Sequence, residues 1–259
     1  MLELTTDTQV DIAQSSLAHG GGVFETVCIH KGIPLFLEHH MDRMKSGIAS
    51  LGMEPPPDTP TVRRFISRWL ETINLQEGAI RVLAADARLM VMTRDTYTPP
   101  RSVAIGVATG FIRCRRSRLA GIKSANYLEN RLVTAMANRD GLFDRIAPND
   151  AGQLTDGGRC NLFVGLNSVL YTPPVADGAL PGIVRNILLD GGIGDESSVT
   201  PDDLMNVQCA FVTSSLAGVI PVHEIDGFRK LPTDHDLLRQ AATVYGNAVN
   251  GELAAYGED

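Results

Sequence analysis

Two ionisable residues of the 259-residue chain stand where they could do chemistry. Lys123 follows a segment typical of a strand or loop and precedes a predicted helix, so its ammonium could point into a cleft and act as a nucleophile or base. Asp156 precedes a predicted strand, where its carboxylate could serve a ligand. Most lysines are solvated and most such aspartates form turns, so neither residue alone establishes a function.

Two further segments could bind an anion. Residues 180–185, with the sequence LPGIVR, lead from a turn into an apolar helix, whose free N–H groups and dipole attract negative charge. Ser214 and Ser215 present two hydroxyls at the end of an apolar strand. The alternative interpretation is an ordinary polar loop. The glycine clusters at 20–22 and 191–194 complete no nucleotide-binding motif, and no serine or cysteine stands in a nucleophile motif, which leaves hydrolases without support.

The composition excludes several classes of protein. A content of 44% hydrophobic and 20% charged residues is typical of a globular chain with one large or two modest domains. The net charge of -7 disfavours nucleic acid as a partner. The four cysteines are far apart and lack histidines at zinc-ligand spacing, so we expect reduced thiols and no metal. The N-terminus lacks a signal-peptide pattern and no apolar run reaches the ~18 residues of a membrane span, so we expect a cytoplasmic protein without membrane contact.

Hydrophobic periodicity predicts a mixed order of strands and helices. In the first part of the chain it predicts a hairpin over 22–37, helices around 41–51 and 62–73, and strands over 79–84 and 88–93. After a break at Pro99 and Pro100 it predicts a strand over 103–108, a helix over 127–139, strands near 161–164 and 169–171, a helix after Gly182, a strand over 210–213 and a helix from Asp234. The sequence therefore predicts an α/β (α+β) fold with two domains, over residues 1–97 and 98–259.

Taken together and in this order, the segments resemble the class IV aminotransferases, the fold-type IV enzymes that use pyridoxal phosphate (PLP). That family includes branched-chain and D-amino-acid transaminases and 4-amino-4-deoxychorismate lyase. The resemblance runs from about residue 20 to residue 222 and rests on the stretches at 22–26, 40–44, 120–128, 154–163, 171–174, 180–183 and 212–222. It implies a small N-terminal α/β domain, a larger C-terminal domain with a mixed sheet that bears the cofactor lysine, and a homodimer.

The resemblance assigns cofactor contacts residue by residue. Lys123 would hold PLP as a Schiff base and, once the substrate amine displaces it, carry the α proton. Arg43 matches the arginine that binds the cofactor phosphate with its forked donors. The remaining phosphate contacts that it implies come from the N–H groups and hydroxyls of the two anion-binding segments, at Ile183, Val184, Ser214 and Ser215.

The resemblance also implies contacts to the cofactor ring. Tyr127 is expected to hydrogen-bond the phenolic oxygen. Asp156 occupies the position of the family's usual glutamate, whose carboxylate keeps the ring nitrogen protonated so that the ring can accept electrons. Because aspartate is one methylene shorter, the ring or the loop must shift to keep this contact.

Substrate recognition departs from the family pattern. Only residues 85–87 join two predicted strands where many lyases and D-amino-acid transaminases carry a longer loop. Other arginines must then bind the substrate carboxylate. The candidates, each of which could equally be a surface residue, are Arg81, Arg88, Arg113, Arg115 and Arg159.

Residues 118–123 and 213–222 look more like the lyase branch of the family than the branched-chain branch. We therefore expect a PLP-dependent lyase that converts a small amino substrate, 4-amino-4-deoxychorismate, into pyruvate and 4-aminobenzoate. A class IV aminotransferase acting on branched-chain or D-amino acids is the alternative, because it shares the first chemical steps. A non-enzymatic relative is disfavoured, since both Lys123 and Arg43 are present.

Overall fold

The computed structural model describes residues 1–256. The predicted mixed α/β class is confirmed. The chain divides into two compact units, the first formed by Met1–Tyr97, Ile122–Tyr127 and the stretch from Val249, and the second by Thr98–Gly121 and Leu128–Ala248. None of the helices between residues 1 and 256 has the length and apolarity needed to cross a membrane.

The first unit contains a five-stranded sheet. Its strands are β1 (Glu3–Thr5), β2 (Val23–His30), β3 (Ile33–Pro34), β4 (Glu77–Ala85) and β5 (Arg88–Arg94). Their order across the sheet is β1-β5-β4-β2-β3, and all neighbours are antiparallel except the parallel pair of β1 and β5. The long central strands β2, β4 and β5 therefore form the rigid part of this unit.

Two helices, α1 (Leu37–Ser50) and α2 (Thr59–Thr72), bury one face of this sheet. Because strand side chains alternate between faces, every second residue of β2 enters a shared core with the apolar stripes of the helices. That core includes Val23, Val27, Ile29, Met41, Met44, Ile66 and Leu70. The strand predicted to extend to residue 37 is shorter, because Phe36 takes a left-handed conformation (φ 55°) that turns the chain into α1.

A two-residue turn joins β4 to β5. Asp86 and Ala87 both have positive φ angles, 50° and 60°, as a tight hairpin turn with the twist of its strands requires. The Asp86 carboxylate accepts hydrogen bonds from the Ser15 hydroxyl and from the Ser16 N–H, the latter at 2.8 Å. The tip of this hairpin is thus fixed to the N-terminal segment.

The lysine segment pairs with the start of β2. Phe24 donates its N–H to the Lys123 carbonyl at 2.9 Å, Ala125 donates to the Gly22 carbonyl at 2.8 Å, and Val23 bridges to Ser124. These bonds place Lys123 in the first unit, whereas the sequence assigned it to the domain 98–259. The long N-terminal stretch of the first unit ends at Tyr97. The return of residues 122–127 to that unit has no local signal in the sequence, because it depends on pairing between distant residues.

The second unit contains a nine-stranded mixed sheet. Its strands are β6 (Val103–Val107), β7 (Asp144–Pro148), β8 (Leu154–Gly157), β9 (Asn161–Leu166), β10 (Val169–Thr172), β11 (Asp195–Glu196), β12 (Cys209–Ser214), β13 (Gly218–Ile225) and β14 (Arg229–Lys230). The order is β11-β10-β9-β12-β13-β6-β7-β8, with β14 beside β13. β6 is parallel to both β7 and β13, while β9 and β12 form an antiparallel centre.

Helices α3 (Leu128–Arg139), α4 (Ile183–Asp190) and α5 (Asp236–Tyr256) complete the regular structure. Phe163 and Phe211 stack at 4.7 Å and pack with Val184 and Leu188 of α4. The alternate residues of β9 and β12, such as Leu162, contribute to a second core. The sheet is therefore covered on both faces, and α4 is held with its N-terminus near the beginning of β9.

Candidate active site

The ammonium nitrogen of Lys123 lies against two aromatic rings of the first unit. Nζ is 4.7 Å from the ring centroid of Phe24 and 5.2 Å from that of Tyr127, and these rings meet edge to face at 5.1 Å. Burial, together with the positive charge of Arg43, lowers the pKa of Lys123 to about 8, although the charge of Glu25 opposes this shift. About a tenth of the amine is then neutral at pH 7, as a nucleophilic or basic lysine requires.

A buried ionic cluster lies in the same unit. The carboxylate of Glu25, 0% exposed on β2, accepts hydrogen bonds from Arg43 Nε at 2.8 Å and Nη2 at 2.5 Å, and lies 2.6 Å from His40 Nδ1. Burial alone would raise the pKa of Glu25, but the charges and hydrogen bonds of Arg43 and His40 outweigh it and lower the pKa to about 2. Burial also lowers the pKa of His40, against the influence of Glu25. The cluster therefore fixes the guanidinium of Arg43 with a carboxylate that is ionised near neutral pH.

Sequence reasoning identified Arg43 but missed its two partners. The inward-facing positions of β2 are apolar except for Glu25, and a charged residue in such an alternation signals a buried polar network. His40 stands three residues before Arg43, which puts both on one face of α1. The alternation in β2 therefore marks Glu25 in the sequence, but its pairing with His40 and Arg43 follows only from the packing of β2 against α1.

Two more arginines of the first unit lie near Lys123. The guanidinium of Arg81 is 4.6 Å from the ring centroid of Phe24, and Arg94 Nη1 donates to Thr26 Oγ1 at 3.3 Å. The positive charges of both arginines lower the pKa of Lys123, and burial lowers the pKa of Arg81 itself. Arg81 Nε is buried and has no hydrogen-bond partner within residues 1–256. The sheet face around Lys123 is thus suited to an anion, and Arg94 is a member of it that sequence reasoning missed.

In the second unit, Asp156 precedes the predicted strand β9 and itself lies within the short strand β8, where it is almost fully buried. Its Oδ2 accepts the N–H of Leu180 at 2.9 Å, and its Oδ1 lies 3.2 Å from Arg113 Nη2. The angles of this ion pair do not make a hydrogen bond, and Oδ1 has no hydrogen-bond partner among the described residues. Arg113, predicted to bind substrate, thus pairs with Asp156, and Arg115 pairs with Asp150 at 3.4 Å.

The N-terminus of α4, in the second unit, has no side-chain cap among the described residues and is of a kind that suits an anion. Gly182 is the N-cap, and no side chain in residues 1–256 makes a capping hydrogen bond there. Because the first N–H groups of an α-helix have no intrahelical partner, those of Ile183 and Val184 are left for other acceptors. Asn161 Nδ2 donates to the Leu180 carbonyl at 2.8 Å. A Cβ atom on Gly182 would lie 1.9 Å from Asn161 Oδ1, so only glycine fits at this helix start.

The end of β12 carries hydroxyl groups and pairs with Asn161, which contacts the segment before α4. Thr213 pairs with Asn161 across β12 and β9, and its buried Oγ1 has no hydrogen-bond partner in the part of the chain that the structure describes. The predicted Ser214 Oγ accepts the N–H of Ala217 at 3.3 Å, and Ser215 follows in the turn before β13. Thr213, which sequence reasoning treated as a plain strand residue, therefore presents the unsatisfied hydroxyl.

Two predicted substrate-binding arginines have structural partners instead. Arg88 Nη1 donates to the Gln9 carbonyl at 2.7 Å, and Nη2 bonds to Asp7, which anchors the N-terminal segment. Arg159 Nη2 donates to Asn138 Oδ1 at 3.0 Å, which directs its side chain towards α3. These contacts give both arginines an anchoring role, which residue type alone does not separate from ligand binding.

Each unit, taken by itself, carries groups that suit a part of PLP, whose aldehyde, ring nitrogen and phosphate need an amine, a carboxylate and an anion site. Lys123 supplies an amine of lowered pKa, Asp156 an unpartnered buried oxygen, and α4 with Thr213 an uncapped helix end and an unpartnered hydroxyl. An amine, a carboxylate and an anion site of these kinds are the groups with which PLP-dependent enzymes hold their cofactor.

The chain belongs to the class IV aminotransferase family, since the family described as amino-transferase class IV matches residues 22–225. This match confirms the family resemblance and the assignment as a PLP-dependent enzyme, lyase or aminotransferase.

Relatives within the family carry different activities. The chain is 27% identical over 241 residues to a D-alanine aminotransferase from Bacillus licheniformis, covering 86% of this chain and 85% of the relative. It is 24% identical over 230 residues to an aminodeoxychorismate lyase from Bacillus subtilis, covering 80% and 78%. The solved branched-chain aminotransferase from Thermoproteus uzoniensis has the same fold, with a TM-score of 0.82, 24% identity and coverage of 94% and 91%.

Proposed function

We propose that this chain is a PLP-dependent lyase that releases pyruvate and 4-aminobenzoate from 4-amino-4-deoxychorismate. The observation that carries a catalytic function is the amine of Lys123, held against Phe24 and Tyr127 with a pKa of about 8. Support for a lyase in particular comes from the likeness of residues 118–123 and 213–222 to that branch of the family. The lyase from Bacillus subtilis among the relatives supports it further.

The bound cofactor supplies an electron sink for negative charge that develops next to the substrate amine. We assign to Lys123 Nζ the removal and return of the substrate proton. Its pKa of about 8 lets the neutral amine accept that proton and the ammonium give it back near neutral pH. Tyr127 is assigned the hydrogen bond to the phenolic oxygen, and Asp156 the contact with the ring nitrogen.

The cofactor phosphate is assigned to three sets of donors. Arg43 is one, and its orientation by Glu25 supports this role, because the bidentate pair fixes the plane of the guanidinium. The uncapped N–H groups of Ile183 and Val184 are the second. Hydroxyls of β12 and the turn after it are the third, from Thr213, Ser214 and Ser215.

The carboxylates of the substrate are assigned to Arg81 and Arg94. Both arginines lie on the sheet face that carries Phe24, and their charges reach Lys123. Arg81 Nε, buried and without a hydrogen-bond partner within residues 1–256, is available to an anion. An unpaired buried donor is costly, so a negatively charged substrate would relieve that cost.

A class IV aminotransferase acting on branched-chain or D-amino acids is the second candidate. The D-alanine aminotransferase among the relatives favours it, at 27% identity compared with 24% for the lyase. An aminotransferase would use the same lysine, carboxylate and phosphate contacts. The two candidates therefore differ in the fate of the substrate and in the need for a keto-acid acceptor.

One incubation separates the two candidates. The purified chain with PLP is given 4-amino-4-deoxychorismate, and pyruvate and 4-aminobenzoate are measured; parallel reactions contain D-alanine or leucine with 2-oxoglutarate. A lyase releases the two products in equal amounts without a keto acid, and Lys123→Ala releases neither. Transamination without release of 4-aminobenzoate would replace the lyase by the second candidate.

We also propose a homodimer, which the family resemblance supports. Light scattering of the PLP-bound protein should then give twice the 27.9 kDa of the chain. A mass equal to one chain at all concentrations tested would contradict this assignment.

A further inference from the structure

The carboxylate of Asp156 is held from two sides within the second unit. The N–H of Leu180 donates to Oδ2 at 2.9 Å, and the guanidinium of Arg113 lies 3.2 Å from Oδ1. The side chains are 7% and 12% exposed, so this pair is shielded from water. Both oxygens therefore have a fixed environment, but only Oδ2 has a hydrogen bond.

The position of Arg113 is set by its backbone. Its N–H donates to the Pro148 carbonyl at 2.8 Å, its carbonyl accepts the N–H of Asp150 at 3.2 Å, and it forms a bridge with Asn149. These bonds attach the residue to the end of β7, next to β8 in the sheet. The arginine thus reaches Asp156 from a rigid element and not from a free loop.

Arg113 and Asp156 form an ion pair without a hydrogen bond between them. A buried carboxylate without a partner is costly, and the guanidinium of Arg113 lies 3.2 Å from Oδ1. The angles between them nevertheless make no hydrogen bond, and within residues 1–256 Oδ1 has no hydrogen-bond partner. A lone pair of Oδ1 is left for a donor that the protein itself does not supply.

We propose that Arg113 is a positioning residue, which holds the Asp156 carboxylate in place and leaves Oδ1 directed at the protonated ring nitrogen of PLP. The inference rests on the proposed function, which assigns this nitrogen to Asp156. The electrostatic support from Arg113 and the hydrogen bond from Leu180 fix a carboxylate that is one methylene shorter than glutamate. Arg113 then acts through Asp156 and does not contact the substrate.

The test compares PLP with its 1-deaza analogue, in which a C–H group replaces the ring nitrogen. Each is titrated into the cofactor-free protein by equilibrium dialysis. The wild-type protein should bind PLP at least tenfold more tightly than the analogue. In Arg113→Met this preference should fall to within about threefold, because the carboxylate loses its partner. Asp156→Asn should show the same loss, and Arg113→Lys, which keeps the charge, should retain most of the preference.

Arg115→Met is the matched control, because Arg115 is a neighbouring arginine that pairs with Asp150. It should keep the wild-type preference. An unchanged preference in Arg113→Met would overturn the inference while leaving the proposed function intact, whereas failure of the wild-type protein to bind PLP would overturn both. Should Arg113→Met fail to fold by circular dichroism, Arg113→Gln and Arg113→Lys decide: the inference requires loss in the former and retention in the latter.

Discussion

The cluster of Glu25, Arg43 and His40 in the first unit and the carboxylate and helix end in the second unit differ in how their buried polar atoms are satisfied. Glu25 has partners for both of its oxygens, in Arg43 and His40. Asp156 Oδ1 and Thr213 Oγ1 have no hydrogen-bond partner within residues 1–256. Because buried polar groups are normally bonded, the first cluster is complete as folded, whereas the second is arranged for a ligand.

Removing the charge of Glu25 should have the largest effect on stability. Glu25→Gln removes the buried charge that pairs with the guanidinium of Arg43, so we expect a loss of about 3 kcal/mol or more in the free energy of unfolding. Urea denaturation of the cofactor-free protein measures it. Glu77→Gln, which breaks an exposed 3.0 Å pair with His30, should cost less than about 1 kcal/mol. Equal losses in the two variants would show that the buried cluster is not the stabilising element.

Acid should weaken the same cluster. Because the pKa of Glu25 is lowered from 4.5 to about 2 in the folded protein, its contribution is complete above about pH 4.5 and is lost as the pH falls towards 2. The shift corresponds to about 3 kcal/mol at neutral pH. Urea titrations from neutral to acidic pH should show this loss in the wild-type protein and not in Glu25→Gln. Curves that fall in parallel for the two proteins would contradict the assignment.

Removing the hydroxyl of Thr213 should separate folding from ligand binding. Thr213→Val deletes a buried hydroxyl that has no partner in the described chain, so the cofactor-free protein should keep its stability or gain up to about 1 kcal/mol. The affinity for PLP should fall about tenfold, because the phosphate loses a donor. Thermal melts and equilibrium dialysis measure the two effects.

Thr172→Val is the matched control for that substitution. Thr172 Oγ1 donates to the Leu162 carbonyl at 2.7 Å and is equally buried, so its removal should cost about 1 kcal/mol. A loss of stability in Thr213→Val as large as in Thr172→Val would mean that the Thr213 hydroxyl is already satisfied, and the contrast between the two units would not hold.

The smallest effect is expected on the amine of Lys123. The charge of Arg81 lowers the pKa of this lysine, so Arg81→Met should raise that pKa above its value of about 8. Acylation of the cofactor-free protein at a series of pH values, followed by mass spectrometry of the peptide that contains Lys123, measures the shift. Lys31, which is exposed, serves as the internal reference. A pKa that stays the same or falls would show that Arg81 does not act on the amine.

Much of the fold could be predicted where periodicity and burial agree. β2, β4, α1 and α4 have apolar residues at the spacing of one buried face, and the helix after Gly182 begins where predicted. β8 could not be recognised because it is four residues long and contains Thr155 and Asp156, whose types favour turns. β13 contains Pro221, which weakens any strand prediction.

The residues of the candidate site could also be predicted only where a local segment of the sequence identifies them. Lys123, Arg43 and Asp156 were predicted because they stand in recognisable segments. The partnerships of Arg113 with Asp156 and of Arg88 with Asp7 join distant parts of the chain, so residue type could not distinguish them from substrate contacts. The unpartnered hydroxyl of Thr213 could not be predicted either, because it depends on which hydrogen bonds the neighbouring residues form in the fold.

The most direct test of the central claim is to locate the covalent attachment of the cofactor. The purified protein is incubated with PLP, reduced with borohydride and digested, and the modified peptide is identified by mass spectrometry. We predict one phosphopyridoxyl group on Lys123, with loss of the label and of the visible absorbance in Lys123→Ala. A stoichiometric label on Lys31, Lys45 or Lys230, or an unchanged label in Lys123→Ala, would contradict the account.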